Sequence, residues 1–294
     1  MNKLNKFLSA GLALTLTLSL AACGSKPAES AAPAESAAAE SAAAEATPAG
    51  DPIVVKVGVV GAENDQWDTV NELLAKDNIK CELVEFSEYK LPNEALNAGE
   101  IDLNAFQHKA YFNGECTANG YDLSVLGDTI IAPLGLYSDK IKSVDELKDG
   151  DKIAVPMDPT NEGRCFKILE SAGVLTVDPA AGYTPEIKDI TDNPLNLEFV
   201  EVEASNTASL LPDVAAAFIN GAHAVENGLH PDTDAIYVET VEAGSDNPYI
   251  NILAVRTADL ENETYKKVLA AYQSPEVAQA IKDVFQGAYL PAFE

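Results

Sequence analysis

Strand-like and helix-like segments alternate along most of this 294-residue chain. Ile53 to Val60 is an almost continuous β-branched run, the amphipathic segment Trp67 to Ala75 follows it, and Cys81 to Phe86 shows a second strand pattern. A strand, a helix and another strand in this order indicate a βαβ unit with parallel strands. We therefore expect an α/β protein with mostly parallel sheets.

The same alternation continues to the C-terminus. In open α/β sheets, ligands bind beyond the carboxyl ends of the strands, so the polar segments at those ends are the candidate sites. The pattern predicts strands at Ile101 to Ala105, Lys152 to Val155, Leu197 to Val202 and Tyr249 to Val255, an apolar segment at Ile130 to Tyr137, and helices at Asn93 to Ala98, Ala110 to Asn119, Asn161 to Ser171, Leu211 to Asn220, Tyr265 to Tyr272 and Pro275 to Phe285.

Residues 1–22 have the pattern of a lipoprotein signal peptide. Lys3 and Lys6 form a positively charged start, Phe7 to Leu20 is a short apolar run, and two alanines precede Cys23. The run is shorter than the roughly 20 residues of a spanning helix, which argues against a transmembrane anchor. We expect cleavage before Cys23 and acylation of this cysteine, with palmitate among its acyl chains. Such a lipid anchor would hold the chain on the extracytoplasmic side of the cell membrane.

Composition divides the mature chain into a tether and a folded part. Residues 23–50 are rich in alanine, glutamate, serine and proline and have no large apolar side chain, so we expect a disordered linker after the lipidated cysteine. The remaining residues, 51–294, approach the size at which a chain splits into two cores. Two lobes are therefore expected.

Charge and cysteine usage exclude several functions. With 47 acidic and 19 basic residues, the chain has a formal net charge of -28, which opposes nucleic-acid binding. After Cys23 the chain has an odd number of cysteines, Cys81, Cys116 and Cys165, so at least one thiol is unpaired. A single disulfide between two of them remains an alternative. No zinc-type spacing, nucleophile elbow or phosphate loop occurs, so we expect no metal, no cofactor and no catalysis.

Aromatic side chains follow one predicted strand end. Phe106, His108 and Tyr111 come just after the strand at Ile101 to Ala105. A lone histidine is more often a packing residue than a ligand contact, but this one lies between two aromatic rings at the position where ligands bind. We therefore expect these three rings to line a pocket.

A second segment, residues 158–164, leaves a strand and enters a helix. Thr160 or Asn161 is suited to cap that helix. Arg164 could bind both oxygens of a carboxylate beside the helix start, although a surface pairing with Glu162 is the alternative. Asn251, near the start of a late strand, offers an amide oxygen to an ammonium group.

These segments resemble the methionine-binding lipoproteins of the NlpA type, which serve ABC importers. The resemblance extends from Ile53 to Phe285, and its most specific parts are ALNAGEIDLNAFQHKAYF, ending at Phe112, and VPMDPTNEGR, ending at Arg164. It implies a two-lobed periplasmic-binding-protein fold of type II with the ligand in the cleft between the lobes. It also implies a side-chain pocket formed by Tyr89, Phe106, His108 and Tyr111, an α-carboxylate site at Arg164, and polar contacts from Asn161, Asn220 and Asn251.

The implied function is capture of L-methionine, or a closely related amino acid, and its delivery to a membrane permease and the ATPase of that importer. Residues 51–133 with 246–294 are expected to form lobe I and residues 134–245 lobe II, with hinges near Ile130 to Pro133 and Gly244 to Pro248. From other functional classes, a secreted lyase or dehydratase and a surface adhesin stay open.

Two departures from the family pattern affect the ligand prediction. Met157 stands where the family commonly has asparagine, and Gly221, Ala222 and His223 stand where it commonly has two threonines and a tyrosine. The pocket near Asn220 could therefore have a different shape. A related amino acid or a short methionine-containing peptide remains an alternative ligand.

Overall fold

The computed structural model describes residues 50–241 and 247–293. The predicted signal peptide, the lipidation at Cys23 and all but the last residue of the predicted linker lie outside these residues. So does most of the second predicted hinge. Within the described ranges, no helix combines the length and the apolar character that crossing a membrane requires.

Thirteen strands in the described residues form two large sheets and one small antiparallel pair, β7 with β8. The strands are β1 (Ile53–Val60), β2 (Ile79–Phe86), β3 (Leu103–Asn104), β4 (Leu123–Ile131), β5 (Gly135–Tyr137), β6 (Lys152–Pro156), β7 (Thr176–Val177), β8 (Ile190–Asp192), β9 (Glu198–Val202), β10 (Ala216–Ile219), β11 (Ala235–Val238), β12 (Ile250–Arg256) and β13 (Leu290–Pro291).

The six-stranded sheet, in the order β13-β4-β12-β3-β1-β2, defines the first lobe. The five-stranded sheet, in the order β11-β5-β10-β6-β9, defines the second lobe. Both sheets are mixed, so the expectation of mostly parallel sheets is wrong. β1 pairs in parallel with β2 and β3, whereas β12 runs antiparallel to β3 and β4 because the chain returns to the first sheet from the second lobe.

Helices cover both faces of the sheets, so the inner strands are apolar on both sides. In β12, Leu253 and Val255 join one buried cluster, while Ile252 and Ala254 join the cluster on the opposite face. This two-residue alternation divides the first lobe into two apolar layers. The helices are α1 (Gln66–Leu74), α2 (Lys90–Ala98), α3 (Lys109–Asn119), α4 (Pro159–Ser171), α5 (Gly221–Glu226), α6 (Pro231–Asp234), α7 (Glu263–Tyr272) and α8 (Pro275–Phe285).

The predicted helix at Leu211 to Asn220 is wrong, because the structure has strand β10 there. β10 lies at the centre of the five-stranded sheet, and all four of its residues are buried. Phe218 packs into one cluster and Ile219 into the cluster on the other face. A strand buried on both faces has no polar alternation, and its two alanines have high helix propensity, so the pattern was misread.

Two connections join the lobes. The chain leaves the first sheet at Ile131 and enters the second at Gly135, and it returns between Val238 and Ile250. The first predicted hinge overlaps the first connection. The two-lobed α/β fold is as predicted, whereas the exact lobe boundaries and the hinge motion stay predictions.

Two helical glycines allow a test of how closely the chain packs against α4. A Cβ on Gly163 of α4 would lie 2.7 Å from Thr184 Cα and 2.9 Å from Tyr183 O, which are backbone atoms. A Cβ on Gly114 of α3 would lie 3.6 Å from the nearest atom, a side-chain methyl. We expect Gly163→Ala to lower the free energy of unfolding by about 1–3 kcal/mol through overpacking.

Gly114→Ala is the matched control, because it gains helix propensity without a clash and should raise the free energy of unfolding by about 0.5–1 kcal/mol. Urea unfolding of both variants measures the two changes. Stabilisation by both substitutions would contradict the close approach of Tyr183 and Thr184 to α4.

Candidate ligand-binding site

A cavity of about 60 Å³ lies between the two lobes. It is formed where β2, β3 and β4 end in the first lobe and where β6 and β10 lead into α4 and α5 in the second. All eight residues predicted to bind ligand line it: Tyr89, Phe106, His108, Tyr111, Asn161, Arg164, Asn220 and Asn251. Among the described residues that line the cavity, Arg164 carries the one fixed charge.

Aromatic rings form one wall of the cavity. Tyr89 lies 5.9 Å from both Phe106 and Tyr111, measured between ring centroids, and Phe106 lies 6.0 Å from Tyr111. His108 lies 6.3 Å from Tyr111 with the rings nearly perpendicular. These spacings are those of aromatic pairs in contact. The wall is therefore a packed, uncharged surface.

A cluster of buried amides supports this wall, and sequence reasoning missed it. Asn93 and Gln107 exchange two hydrogen bonds, with Asn93 Nδ2 donating to Gln107 Oε1 at 2.8 Å and Gln107 Nε2 donating to Asn93 Oδ1 at 2.6 Å. Asn104 Nδ2 donates to Asn93 Oδ1 at 3.0 Å. The cluster holds the loop between β3 and α3, on which Phe106 and His108 lie. The one signal for this cluster in the sequence was the presence of several amide residues, Asn93, Asn104 and Gln107, near the predicted strand end.

His108 is a buried, neutral imidazole. Its Nδ1 accepts the backbone N–H of Tyr111 at 3.0 Å, so the proton is on Nε2, which donates to Asn161 Oδ1 at 3.2 Å. Burial, with a smaller contribution from the positive charge of Arg164, lowers the pKa of His108 to about 3. Because both nitrogens are used, the ring has no free lone pair with which to act as a base.

Arg164 is 3% exposed and forms an ion pair with Glu239 that the sequence did not suggest. Its Nε donates to Glu239 Oε1 at 2.9 Å, and its Nη2 donates to Glu239 Oε2 and, at 3.0 Å, to the carbonyl of Ala132. The ring of Tyr249 lies 4.3 Å from the guanidinium carbon. Within the described part of the chain, no hydrogen bond from Nη1 accompanies those of Nε and Nη2.

The start of α4 differs from the prediction. Asp158 caps the helix, with its Oδ1 accepting the backbone N–H of Asn161 at 3.0 Å, whereas Thr160 or Asn161 was expected in this role. The cap therefore uses the backbone N–H of Asn161. An aspartate caps as well as a threonine or asparagine, and the chain enters the helix earlier than the pattern indicated.

Asn220 and Asn251 lie on opposite sides of the cavity. Asn220 follows β10 and is the N-cap residue of α5, so it does not end a helix. Its Nδ2 donates to Asn161 Oδ1 at 2.8 Å, while its Oδ1 is buried with no partner among the described residues. Asn251 Nδ2 donates to the carbonyl of Phe106 at 3.3 Å, which connects β12 to the aromatic loop.

The two departures from the family pattern have different positions. Met157 is 51% exposed and lies outside the cavity, on the outer cleft. Gly221 and Ala222 line the cavity, and buried His223 stacks on Tyr89 with ring centroids 5.1 Å apart. This stacking is a contact between the lobes. The departure therefore lies partly in the cavity lining and partly at the contact between the lobes over Tyr89.

The structure also shows the state of the three cysteines and of the metal-binding side-chain types. Cys81, Cys116 and Cys165 are all free thiols. No group of three or more histidine, cysteine, aspartate or glutamate side chains within residues 50–241 and 247–293 is arranged to hold a metal ion.

Comparison with known families places the chain. The model of the NlpA lipoproteins matches residues 55–293, nearly all of the two lobes. This protein belongs to the NlpA lipoprotein family. The D-methionine-binding lipoprotein MetQ of Escherichia coli is 43% identical to this NlpA lipoprotein over 241 residues, which cover 81% of the chain and 88% of MetQ.

Solved structures of similar proteins share the fold of this NlpA lipoprotein. A nutrient binding protein from Burkholderia cenocepacia, solved bound to methionine, is 38% identical with a TM-score of 0.77. A periplasmic substrate-binding protein of an ABC transporter from Coxiella burnetii is 36% identical with a TM-score of 0.75. Each comparison covers 81% of this chain and 100% of the other.

The state of His108 generates a prediction about pH. The pKa of His108 is about 3 in the folded protein and about 6.5 in the unfolded chain. Below pH 6.5 only the unfolded chain takes up the proton, so the contribution of His108 to stability is complete above pH 6.5 and is lost as pH falls towards 3. Between pH 7 and pH 5 this loss should be about 2 kcal/mol.

The measurement is urea unfolding at pH 7 and pH 5 for the wild type and for His108→Gln, which cannot titrate. We expect the loss of stability on acidification to be about 2 kcal/mol smaller in the variant. His230→Gln, at an exposed position, is the control. Equal losses in wild type and His108→Gln would contradict a buried neutral His108.

Proposed function

We propose that this chain is the substrate-binding lipoprotein of an ABC importer and that it binds L-methionine. The single observation that carries the proposal is the composition of the cavity, which has one guanidinium, the unpartnered amide oxygens of Gln66 and Asn220, and a wall of uncharged rings. A zwitterionic amino acid with an uncharged side chain is complementary to this set. The names of the similar proteins from Escherichia coli and Burkholderia cenocepacia agree with methionine.

The polar end of the ligand is held by two groups of the second lobe. Nη1 of Arg164 donates to the α-carboxylate, because Nε and Nη2 are already used by Glu239 and Ala132. Oδ1 of Asn220 accepts from the α-ammonium group, which carries donors only. Pairing both ligand charges removes the cost of burying them.

The side chain of the ligand lies against Tyr89, Phe106, His108 and Tyr111. Sulfur gains about 0.3–1.5 kcal/mol beside aromatic ring edges, and an unbranched thioether adapts to an irregular wall. The cavity of about 60 Å³ is several times the roughly 10–15 Å³ that one water needs, a size that fits one amino acid better than a peptide.

Binding is coupled to closure of the lobes. Tyr89, Phe106, His108 and Tyr111 belong to the first lobe, whereas Arg164 and Asn220 belong to the second, so only the closed form contacts both ends of the ligand. Closure is favoured to the extent of these additional contacts. We propose lobes of residues 51–133 with 246–294 and 134–245, with the connection at Ala132 as one hinge.

The closed protein would deliver its ligand to the permease and ATPase of the importer while acylated Cys23 tethers it to the outer side of the cell membrane. We propose no catalytic step, because the hydrogen bonds of His108 leave it no free lone pair to serve as a base. A lyase would need such a base at the ligand. An adhesin would have no use for a closed cavity of this size.

Substitution of Arg164 tests the carboxylate site. Arg164→Lys keeps the charge but cannot reproduce Nη1 and the planar contact with Glu239. We expect methionine affinity to fall about 100-fold, measured by calorimetry, as expected for loss of a buried charged hydrogen bond. Arg256→Lys is the matched control, since Arg256 bonds Asp259 and the carbonyl of Ile101, outside the cavity. Unchanged affinity in Arg164→Lys would place the carboxylate elsewhere.

A ligand panel tests the side-chain pocket. L-methionine should bind about 1 kcal/mol more tightly than norleucine, because norleucine lacks the sulfur, and leucine should bind more weakly still because it is branched. Lysine and glutamate should fail, since no fixed charge in the wall pairs with theirs. D-methionine should bind less tightly than L-methionine, because inversion moves the ammonium away from Asn220. Preference for a charged or branched amino acid would contradict the methionine assignment.

A further inference from the structure

A chain of side-chain amides runs from the start of α4 to the cavity. It passes from Asp158 to Asn161 and then to Asn220, and His108 joins it from the other lobe. An amide has a donor end and an acceptor end of almost equal shape, so its orientation decides which chemistry a ligand meets. The orientation of Asn220 is therefore a question of ligand specificity.

The first anchor of this orientation is a carboxylate. Asn161 Nδ2 lies 3.1 Å from Asp158 Oδ1 and 2.9 Å from Asp158 Oδ2. An ionised carboxylate only accepts hydrogen bonds, so the NH₂ end of Asn161 must face Asp158. The oxygen of Asn161 then faces the opposite way, towards His108 and Asn220.

The second anchor is His108, which is independent of Asp158 and favours the same orientation of the Asn161 amide. The backbone N–H of Tyr111 is bound to His108 Nδ1, which leaves the proton on Nε2. Nε2 can then only donate, and the atom it meets is Asn161 Oδ1 at 3.2 Å. A reversed Asn161 would place two donors against each other at His108 and two more at Asn220.

The consequence of this fixed orientation appears at Asn220, the last amide of the hydrogen-bonded series. Because Asn161 Oδ1 is an acceptor, Asn220 must present its Nδ2 to it, at 2.8 Å, and its own Oδ1 is directed elsewhere. That oxygen is buried, has no partner among the described residues and belongs to a residue lining the cavity. A buried acceptor without a donor is costly, which favours a ligand that supplies one.

We propose that Asp158 and His108 are positioning residues that fix the polarity of the site, so that it selects a protonated α-amino group over an acceptor at the same carbon. Asp158 does not line the cavity and acts only through Asn161 and Asn220. The proposal rests on the proposed function. It predicts rejection of the 2-oxo acid analogue of methionine, whose carbonyl oxygen would oppose Asn220 Oδ1.

The test compares two ligands, L-methionine and 4-methylthio-2-oxobutanoate, by titration calorimetry. Their affinity ratio measures the polarity at Asn220, because both share the carboxylate and the thioether. Asp158→Asn keeps the helix cap, since asparagine caps as well as aspartate, but its NH₂ group opposes the native orientation of Asn161. We expect the wild type to prefer methionine strongly and the ratio to fall about tenfold in Asp158→Asn, as expected for one mismatched buried hydrogen bond.

Asp178→Asn is the matched control, because exposed Asp178 caps a short helical turn of the same lobe and should leave the ratio unchanged. His108→Phe provides a second route, since it keeps an aromatic wall and removes the donor. It should also lower the ratio, and His108→Gln, which retains a donor, should restore it in part. Thermal unfolding of each variant shows that a changed ratio is not a consequence of misfolding.

The outcomes separate the two proposals. The wild type could bind methionine while Asp158→Asn and His108→Phe both show the wild-type affinity ratio. That result would overturn the role of the two anchors and leave the proposed function intact. A wild type that binds neither ligand overturns the proposed function and this inference with it. A ratio lowered in both variants and unchanged in Asp178→Asn supports the inference.

Discussion

The buried ion pair between Arg164 and Glu239 is the contact on which the geometry of the cleft depends. A guanidinium this deeply buried and left unpaired would cost several kcal/mol, and Glu239 removes that cost. The same two side chains also contact both connections between the lobes. Arg164 donates to Ala132, Glu239 accepts from the backbone N–H of Leu134 at 3.2 Å, and Tyr249 covers the guanidinium. The group that we propose for the ligand's carboxylate is therefore in contact with both connections between the lobes.

The aromatic wall and the polar end of the cavity differ in how strongly each can discriminate between ligands. A hydrophobic pocket discriminates weakly, because one methylene is worth about 1–3 kcal/mol. The polar end is stricter, since a mismatched buried hydrogen bond leaves groups unpaired on both sides. Under the proposed function, the wall formed by Tyr89, Phe106 and Tyr111 would select a size and an uncharged character, whereas Arg164 and Asn220 would select an amino acid.

Two of the contacts between the lobes lie beside the aromatic wall and are individually weak. His108 donates one hydrogen bond to Asn161, and Tyr89 stacks on His223. Contacts of this size are worth about 0.5–1.5 kcal/mol each, so under the proposed function a ligand that adds a charged contact would have enough differential affinity to decide closure. The buried amides Asn93, Asn104 and Gln107 hold the aromatic loop to the first lobe through their mutual hydrogen bonds.

Local sequence patterns predicted the elements whose signal is local. The β-branched run of β1 and the amphipathic α1, α7 and α8 follow from periodicity, and the eight candidate residues were placed by the family motifs and by their positions after strand ends. Leu211 to Asn220 was misread because a central strand such as β10 has two apolar faces and resembles a helix in composition.

What the sequence alone determined about this protein is the α/β class, the two-lobed family fold and the identity of eight of the side chains that line the cavity. Only the tertiary structure decided how those side chains are held. Glu239 lies 75 positions from Arg164, and Asn220 lies 59 positions from Asn161. No local periodicity relates residues so far apart, and hydrogen-bond direction depends on which donor and acceptor meet. The pairing of Arg164 with Glu239 and the orientation of the Asn220 amide therefore exist only once the two sheets have brought their strand ends together.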